Sequence, residues 1–270
     1  MKKLAVFTLI ILTSFILSAC AADQTPEAPA AGVTTDLGGA EVRIAVEDAY
    51  PPFNYIDSDT NESIGWDYDA WREICDRINC TPVFVVAAWD GLFEALAAEE
   101  YDVAADGITI LLERTDRVAF SNPYMNIGQV IMVRVDEKDI TDQDALESME
   151  DKVVGVQLGT TNEIVAMGVV GEERIRSYDT FDLPVIALMS GDVDAVIIDT
   201  VAAGGFMGEN PGELKIVDQI TSGELLGFAL PHMSELIVPL NWAMQQMFAD
   251  GTMDGLCVKW IGTKCDPTTD

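Results

Sequence analysis

The chain has 270 residues and carries 46 Asp and Glu against 15 Lys and Arg, which gives a formal net charge of −31 at pH 7. A surface of this sign repels phosphate, so nucleic acid is not expected as a partner. Salt screens the charge within about 8 Å at physiological ionic strength, so the composition indicates a solvated acidic surface and does not by itself identify a ligand.

The first 20 residues have the three parts of an export signal. Lys2 and Lys3 form a positive start, residues 4–17 are apolar, and a Leu-Ser-Ala-Cys run at 17–20 forms a small-residue cleavage site. The apolar stretch of 14 residues is shorter than the roughly 20 that a membrane-spanning helix needs. We therefore interpret residues 1–19 as a signal peptide, with an anchor helix as the alternative.

The Leu-Ser-Ala-Cys run resembles the bacterial lipobox, in which the cysteine receives a diacylglyceryl group and becomes the mature N-terminus. Cys20 is thus predicted to anchor the protein in the membrane through its lipid, on the outer face of the plasma membrane or in the periplasm. An ordinary signal peptide with an incidental Cys20 is the alternative. Residues 20–40 are predicted to be a flexible tether, because the sequence after Cys20 is small and polar with no apolar period. The anchored protein is expected to be a monomer.

Apolar, β-rich runs begin to alternate with helical stretches near Glu41. This alternation predicts an α/β fold with largely parallel sheets. Two helices, over Trp71–Ile78 and Leu236–Phe248, are indicated by apolar residues at helical spacing, and Gly251 is a suitable stop for the second. The predicted strands are Val42–Val46, Val83–Ala87, Val103–Ala105, Val130–Val135, Val153–Val156 and Ala195–Ile198.

The folded part of the chain is long enough for one large domain or two lobes. The segment Gly128–Arg134 is a strand followed by an acidic linker, and a new apolar run starts at Lys152. This pattern predicts that the chain leaves a first lobe in this segment and returns through a second strand, Leu226–Leu230. Two crossings would form a hinge that can close on a ligand. We expect the first lobe over 41–129 plus 230–270 and the second over 130–229.

Four cysteines remain besides Cys20, and they form two close pairs in the sequence, Cys75 with Cys80 and Cys257 with Cys265. An exported protein meets an oxidising compartment, so we predict two local disulfides. A metal site is not expected, because the spacings are not C-x-x-C and the chain has one histidine. No cofactor is expected either.

Short motifs rich in aromatic, glycine and acidic residues extend from about Val42 to Gly262. They are Ala49–Phe53, Gly65–Asp69, Trp89–Leu92, Tyr101–Ile110, Glu113-Arg114, Phe120–Tyr124, Gly159–Thr161, Asp194–Asp199, Asp250–Asp254 and Lys259-Trp260. In this order they resemble the family 3 extracellular solute-binding proteins, the polar amino-acid receptors of ABC transporters. The sequence departs from that pattern at Leu111 and Leu112. The resemblance implies a periplasmic-binding-protein-like fold of type II, with two α/β lobes and a two-strand hinge. It also implies a free amino acid as ligand and an ABC permease as partner.

The resemblance further implies a site for the two charged ends of an amino acid, neither of which can be buried without a partner. Arg114 would bind the carboxylate with its planar guanidinium. Thr109 and the backbone N–H groups of Thr109 and Thr161 would complete that cradle. Thr160 and Thr161 precede a helix expected to start near Glu163, whose free N–H groups favour an anion.

The ammonium end would be bound by acceptors from both lobes. Asp199 and the carbonyl of Gly107 are expected to accept its hydrogen bonds. By the same resemblance, Tyr50 and Trp89 would enclose the stem of the ligand side chain between two aromatic faces.

By the same resemblance, Glu47 and Asp106 would lie on the side of the cleft where the ligand side chain is recognised. Two carboxylates there would repel an acidic ligand, so we predict a cationic or donor-bearing side chain, as in arginine, lysine, ornithine, histidine or glutamine. Gln157 could add a hydrogen bond from the other lobe. In the alternative, Glu47 faces solvent and Asp106 bonds to its own turn, which leaves a pocket for a small neutral amino acid.

Two other functions are compatible with the sequence. A sensory lipoprotein would bind the same ligand and report to a receptor. A dehydratase-like enzyme on the same fold would need a general acid or base, which Glu47 or Asp106 could supply. We assign no catalytic residue and do not expect an enzyme, because the sequence contains no recognisable His, Cys or Ser constellation.

Overall fold

The computed structural model describes residues 34–268. The predicted signal peptide, Cys20 and the first part of the tether lie outside the described residues. Two five-stranded sheets with helices packed against them make up most of the described chain. Within 34–268, no helix is both long and apolar enough to cross a membrane.

Strands and α-helices alternate along much of the described chain. In chain order, the strands are β1 (Ala40–Val46), β2 (Ala49–Tyr50), β3 (Asn54–Ile56), β4 (Ser63–Ile64), β5 (Cys80–Val86), β6 (Val103–Ala104), β7 (Ala119–Phe120), β8 (Met125–Ile127), β9 (Gln129–Arg134), β10 (Val154–Gln157), β11 (Ile175–Tyr178), β12 (Ala195–Asp199), β13 (Leu214–Gln219), β14 (Glu224–Leu226) and β15 (Ala229–Leu230). The α-helices are α1 (Trp66–Ile78), α2 (Leu92–Ala97), α3 (Gln143–Ser148), α4 (Thr161–Val170), α5 (Leu183–Ser190), α6 (Thr200–Glu209), α7 (Ile237–Asp250) and α8 (Thr252–Trp260).

The two large sheets have similar strand arrangements. The first has the order β5-β1-β6-β15-β7, and the second has the order β11-β10-β12-β9-β13. In each sheet two neighbouring pairs are parallel and the other two are antiparallel. The prediction of largely parallel sheets is therefore wrong. The antiparallel pairs involve β9 and β15, which enter their sheets from the other lobe instead of through a helical crossover.

The chain passes between the sheets through β8 and β14, which pair with each other as a separate antiparallel ribbon. Strand β8 directly precedes the first predicted crossing segment, Gly128–Arg134, and β14 ends at Leu226, the first residue of the second. The run Gln129–Arg134 lies inside the second sheet, and the predicted strand Leu226–Leu230 is split at Gly227. Gly227 leaves the ladder because its N–H bonds to the carbonyl of Ile108 at 3.0 Å, and a Cβ there would lie 2.9 Å from the Ile110 side chain.

Both helices predicted from apolar spacing are present as α1 and α7. Helix α1 buries Trp66, Trp71 and Ile74 completely. The Trp66 ring stacks on Tyr124 with centroids 4.7 Å apart. Helix α7 ends at Gly251, whose φ of 83° is a left-handed conformation that glycine adopts without strain. Helix α1 packs against β5 of the first sheet, and α7 packs against α1 and α8.

Disulfides join Cys75 to Cys80 and Cys257 to Cys265, which confirms the predicted pairing. The first links the end of α1 to β5. The second fixes the segment after α8, where Asp266 O accepts a hydrogen bond from Asn126 N in the connecting strand β8 at 2.7 Å. Closing loops this short stabilises the fold by about 2 to 3 kcal/mol each in the chain-entropy treatment.

Candidate functional site

A small cavity lies between the two sheets, near the carboxyl ends of β1, β6, β10 and β12. Ligand sites of open α/β sheets occur at this edge. The cavity is lined by Tyr50, Trp89, Asp106, Gly107, Thr109, Arg114, Gln157, Thr160, Thr161, Asn162, Phe181 and Asp199. This set includes every predicted ligand-binding residue except Glu47. It also contains Asn162 and Phe181, which the sequence motifs did not indicate.

Among residues 34–268, Arg114 is the one cation on the cavity wall. Two contacts hold its side chain in place. Nη1 donates to the carbonyl oxygen of Thr109 at 2.9 Å, and the ring centroid of Trp89 lies 5.2 Å from the guanidinium carbon. No carboxylate of residues 34–268 lies within 4.0 Å of its nitrogens. Burial lowers the pKa of Arg114 to about 10, so the guanidinium remains charged at neutral pH. Its remaining donors suit a planar anion.

The departure at Leu111 and Leu112 does not displace Arg114. Leu111 O accepts from Arg114 N at 3.0 Å in a tight turn, and the Leu112 side chain is 87% exposed. The turn thus depends on backbone hydrogen bonds, which leucine supplies as well as other residues do.

Helix α4 presents its N-terminus to the same end of the cavity. It begins at Thr161, two residues before the predicted start at Glu163. Thr160 is the N-cap: its Oγ1 accepts from Glu163 N at 3.3 Å and donates to Gln157 O at 2.7 Å. The first-turn N–H groups of Thr161 and Asn162 have no partner inside the helix, and such groups attract an anion.

Asp199 lies at the end of β12 and is 3% exposed. Its carboxylate accepts a hydrogen bond from Tyr50 Oη, which lies on the side of the first sheet, and another from Asn162 Nδ2 at 2.8 Å. Burial raises the pKa of Asp199 to about 6, and these two hydrogen bonds oppose the rise. The group is therefore ionised at neutral pH and is a suitable acceptor for an ammonium.

The aromatic wall differs from the predicted Tyr50 and Trp89 pair. Both rings line the cavity, but Tyr50 stacks on Phe181, with centroids 3.9 Å apart and planes 12° apart. Gly107 permits Tyr50 to lie there, because a Cβ at Gly107 would be 2.5 Å from the tyrosine ring and its φ is 55°. Phe181 lies in the turn between β11 and α5, where no hydrophobic period marks it. The sequence signal that could have indicated Phe181 was its position shortly after β11, a strand parallel to β10.

Glu47 is buried and does not face solvent, being 7% exposed. Its carboxyl accepts hydrogen bonds from Gln157 Nε2 at 2.7 Å and from Phe181 N at 3.4 Å. Both donors lie on the side of the second sheet. Burial first, and then repulsion by Asp106, raise the pKa of Glu47 to about 8. Glu47 therefore contributes to the cavity through Gln157 and not as part of its wall.

Asp106 bonds to another strand and not to its own turn. Its Oδ1 accepts from Asn54 Nδ2 at 2.9 Å, and the same amide donates to Asp67 Oδ2 at 2.9 Å. Burial raises the pKa of Asp106 to about 7 and that of Asp67 to about 8. Within residues 34–268, neither carboxyl has a Lys or Arg within 4.0 Å. Asp106 is on the cavity wall, whereas Asp67 and Glu47 are buried outside it. These three carboxyl groups form the acidic end of the cavity.

Known proteins are similar to this chain over most of its length. An arginine-binding protein of an ABC transporter from Escherichia coli strain K12 is 29% identical over 97% of this chain and 99% of its own length. The solved structure of an ancestral arginine-binding protein bound to arginine is 34% identical, with a TM-score of 0.76, and the match covers 83% of this chain and all of that one.

A further solved structure is an ancestral amino acid-binding protein described as a precursor of cyclohexadienyl dehydratase. It is 31% identical, with a TM-score of 0.75, over 82% of this chain and 96% of that one. Residues 42–263 match the bacterial extracellular solute-binding proteins, family 3. The two sheets, the connecting ribbon and the cavity between them agree with that match, and the chain belongs to this family of solute-binding proteins.

Proposed function

We propose that this protein binds a free amino acid with a cationic or donor-rich side chain by closing its two lobes, and delivers it to an ABC permease. The first lobe would comprise 41–129 and 230–270, and the second 130–229. The observation that carries the proposal is the arrangement of charges in one buried cavity. Arg114 and the α4 N-terminus suit a carboxylate, Asp199 suits an ammonium, and an acidic end remains for a side-chain cation.

Lobe closure is supported by contacts that join the two sheets across the cavity. Glu47 binds Gln157, Tyr50 binds Asp199, and Tyr50 stacks on Phe181. Each contact joins a residue before Asp106 to a residue of the 130–229 segment. A ligand that adds hydrogen bonds to both sides would shift the lobes toward this closed arrangement.

The preference for arginine-like ligands is supported by the acidic end and by the relatives. Buried carboxyls without a cation are costly, and a guanidinium or ammonium would offset that cost. The ancestral arginine-binding protein has been solved with arginine and also with glutamine. Both ligands carry N–H donors at the end of the side chain, as the acidic end requires.

Transport is tested by uptake into the source cells. Deleting the gene is expected to lower uptake of labelled L-arginine at micromolar concentration, and the wild-type gene is expected to restore it. Unchanged uptake, together with tight binding by the purified protein, would favour the sensory alternative. Chemically altered amino acid recovered after incubation with the protein would favour the dehydratase-like alternative.

Glu47 and Asp106 are expected to make selectivity depend on pH. Their carboxyl pKa values are raised to about 8 and about 7, so both take up protons as the pH falls below 8. A guanidinium bound at this end of the cavity favours the ionised forms of both carboxyls, so arginine binding releases protons and weakens toward pH 6. We expect the ratio of L-arginine to L-glutamine affinity to fall by about ten- to 100-fold from pH 8 to pH 6. Asp199 would contact the ammonium of both ligands, so its titration changes both affinities equally and leaves their ratio unchanged.

Titration calorimetry at several pH values measures the ratio. The variant with both Glu47→Gln and Asp106→Asn should give a nearly constant ratio across this range, because neither position can then titrate. A constant ratio in the wild type would contradict the assignment of these carboxyls to the side-chain end.

We also propose that Cys20 carries lipid and holds the protein on the outer side of the membrane. The support is the Leu-Ser-Ala-Cys run directly after an apolar stretch of signal length. Labelled fatty acid is expected in the wild-type protein and not in Cys20→Ser, which should be released from the membrane. Cys75→Ser is the matched control and should keep the label. Equal labelling of the wild type and Cys20→Ser would contradict the proposal.

A further inference from the structure

Helix α6 comes very close to the loop after β2 at one glycine outside the cavity. A Cβ at Gly205 would lie 2.6 Å from the carbonyl oxygen of Pro51 and 2.9 Å from the nitrogen of Pro52. Both are backbone atoms, so neither can move aside in the way that the end of a flexible side chain can. Gly205 lies within the regular helix and has no positive φ. Its own conformation therefore does not require glycine. Glycine is required because the neighbouring loop leaves no space for a side chain.

The two sides of this contact belong to opposite sides of the cavity. Helix α6 directly follows β12 of the second sheet and begins next to Asp199. The loop follows Tyr50 and is fixed to the first lobe, because Pro52 O accepts a hydrogen bond from Trp66 N at the start of α1 at 2.9 Å. The Gly205 contact is thus an extension of the Tyr50–Asp199 contact, one residue further along the loop and six along the helix.

We propose that Gly205 is a positioning residue for ligand binding. Without a side chain there, Pro51 can come close enough to α6 for Tyr50 and Asp199 to meet when the lobes close. This inference rests on the proposed function, in which closure brings the two halves of the site onto one amino acid. A methyl group at 205 would stop the approach early and would weaken ligand binding without touching the ligand.

Helix α6 supplies matched controls for this inference. A Cβ at Gly204 or at Gly208 would meet no atom within 4 Å. Alanine has a higher helix propensity than glycine, so a change to alanine strengthens the helix at each of the three positions. The variants Gly204→Ala and Gly208→Ala should raise the unfolding temperature of the ligand-free protein and leave the affinity for L-arginine unchanged.

Three measurements on wild type, Gly205→Ala and Gly204→Ala test the inference: titration with L-arginine, small-angle X-ray scattering with and without L-arginine, and ligand-free thermal unfolding. Gly205→Ala is expected to bind L-arginine at least tenfold more weakly. It should also show a smaller ligand-induced decrease in radius of gyration, with a ligand-free unfolding temperature no lower than that of wild type.

Two results would overturn the role of Gly205. The first is an affinity of Gly205→Ala within twofold of wild type. The second is a lowered ligand-free unfolding temperature in Gly205→Ala but not in Gly204→Ala, because that would assign Gly205 to permanent packing and not to closure. A wild-type protein that binds neither L-arginine nor L-glutamine would instead overturn the proposed function, and this inference with it.

Discussion

Arg114→Ala is expected to weaken binding of L-arginine by at least about 100-fold, which corresponds to about 3 kcal/mol. Arg114 is 8% exposed and is the one cation that the described part of the chain places on the cavity wall. Its removal would leave the ligand carboxylate with the α4 N-terminus and neutral donors only. Folding should survive, because the guanidinium makes one hydrogen bond to the protein, to Thr109 O, among the described residues.

Two comparisons show whether the loss concerns the carboxylate. Agmatine is arginine without its carboxylate, so wild type should prefer arginine strongly and Arg114→Ala should show little preference. Arg117→Ala is the control variant, because Arg117 is exposed and pairs with exposed Glu94; its affinity should match wild type. A loss below threefold in Arg114→Ala would remove Arg114 from the site.

Asp199→Asn is expected to cause a loss of similar size, about 100-fold for L-arginine. The amide keeps the shape of the carboxylate but loses the charge that an ammonium needs in a buried site. Tyr50 and Asn162 both donate to Asp199, so the change also leaves these donors with a weaker acceptor. Calorimetry gives the affinity, and thermal unfolding checks that the fold is kept.

The matched ligand for this prediction is 5-guanidinopentanoic acid, which is arginine without its ammonium. Wild type should bind it much more weakly than arginine, and Asp199→Asn should bind the two about equally. Asp194→Asn is the control, since Asp194 precedes the same strand and pairs with Lys152 away from the cavity. An Asp199→Asn protein that still prefers arginine strongly would show that the ammonium is bound elsewhere.

Sequence motifs located most of the cavity because the motifs place polar residues at strand ends. Asp199 and Gln157 are the last residues of two buried strands, β12 and β10. The carboxyl ends of parallel strands meet at one sheet edge. Once the strand order is known from the family pattern, these side chains must come close together. Asp106 and Glu47 were placed from the family resemblance.

The contacts between the two lobes could not be predicted from sequence patterns. Phe181 lies in a turn without periodicity, and its stacking on Tyr50 depends on how the two halves meet. Asn162 was missed because a polar residue in the first turn of a helix normally faces solvent, whereas in this fold its side chain is directed at Asp199. Glu47 was predicted to line the cavity, but it bonds to Gln157 and lies outside the cavity wall, so it would act on the ligand through its charge.

The connecting ribbon was not recognised in the sequence for a related reason. β8 and β14 are three residues each, too short to show an apolar alternation. The longer runs beside them, which enter the sheets, were assigned the crossing instead. Short connecting strands are specified by backbone pairing with each other, and that pairing leaves little trace in composition.

Competition among L-arginine, L-glutamine, L-glutamate and L-alanine for the purified protein at pH 8 tests the central claim most directly. The acidic end of the cavity predicts that arginine or glutamine binds at least tenfold more tightly than glutamate and alanine. Glutamate or alanine binding at least tenfold more tightly than both arginine and glutamine would contradict the assignment of Glu47 and Asp106 to side-chain recognition.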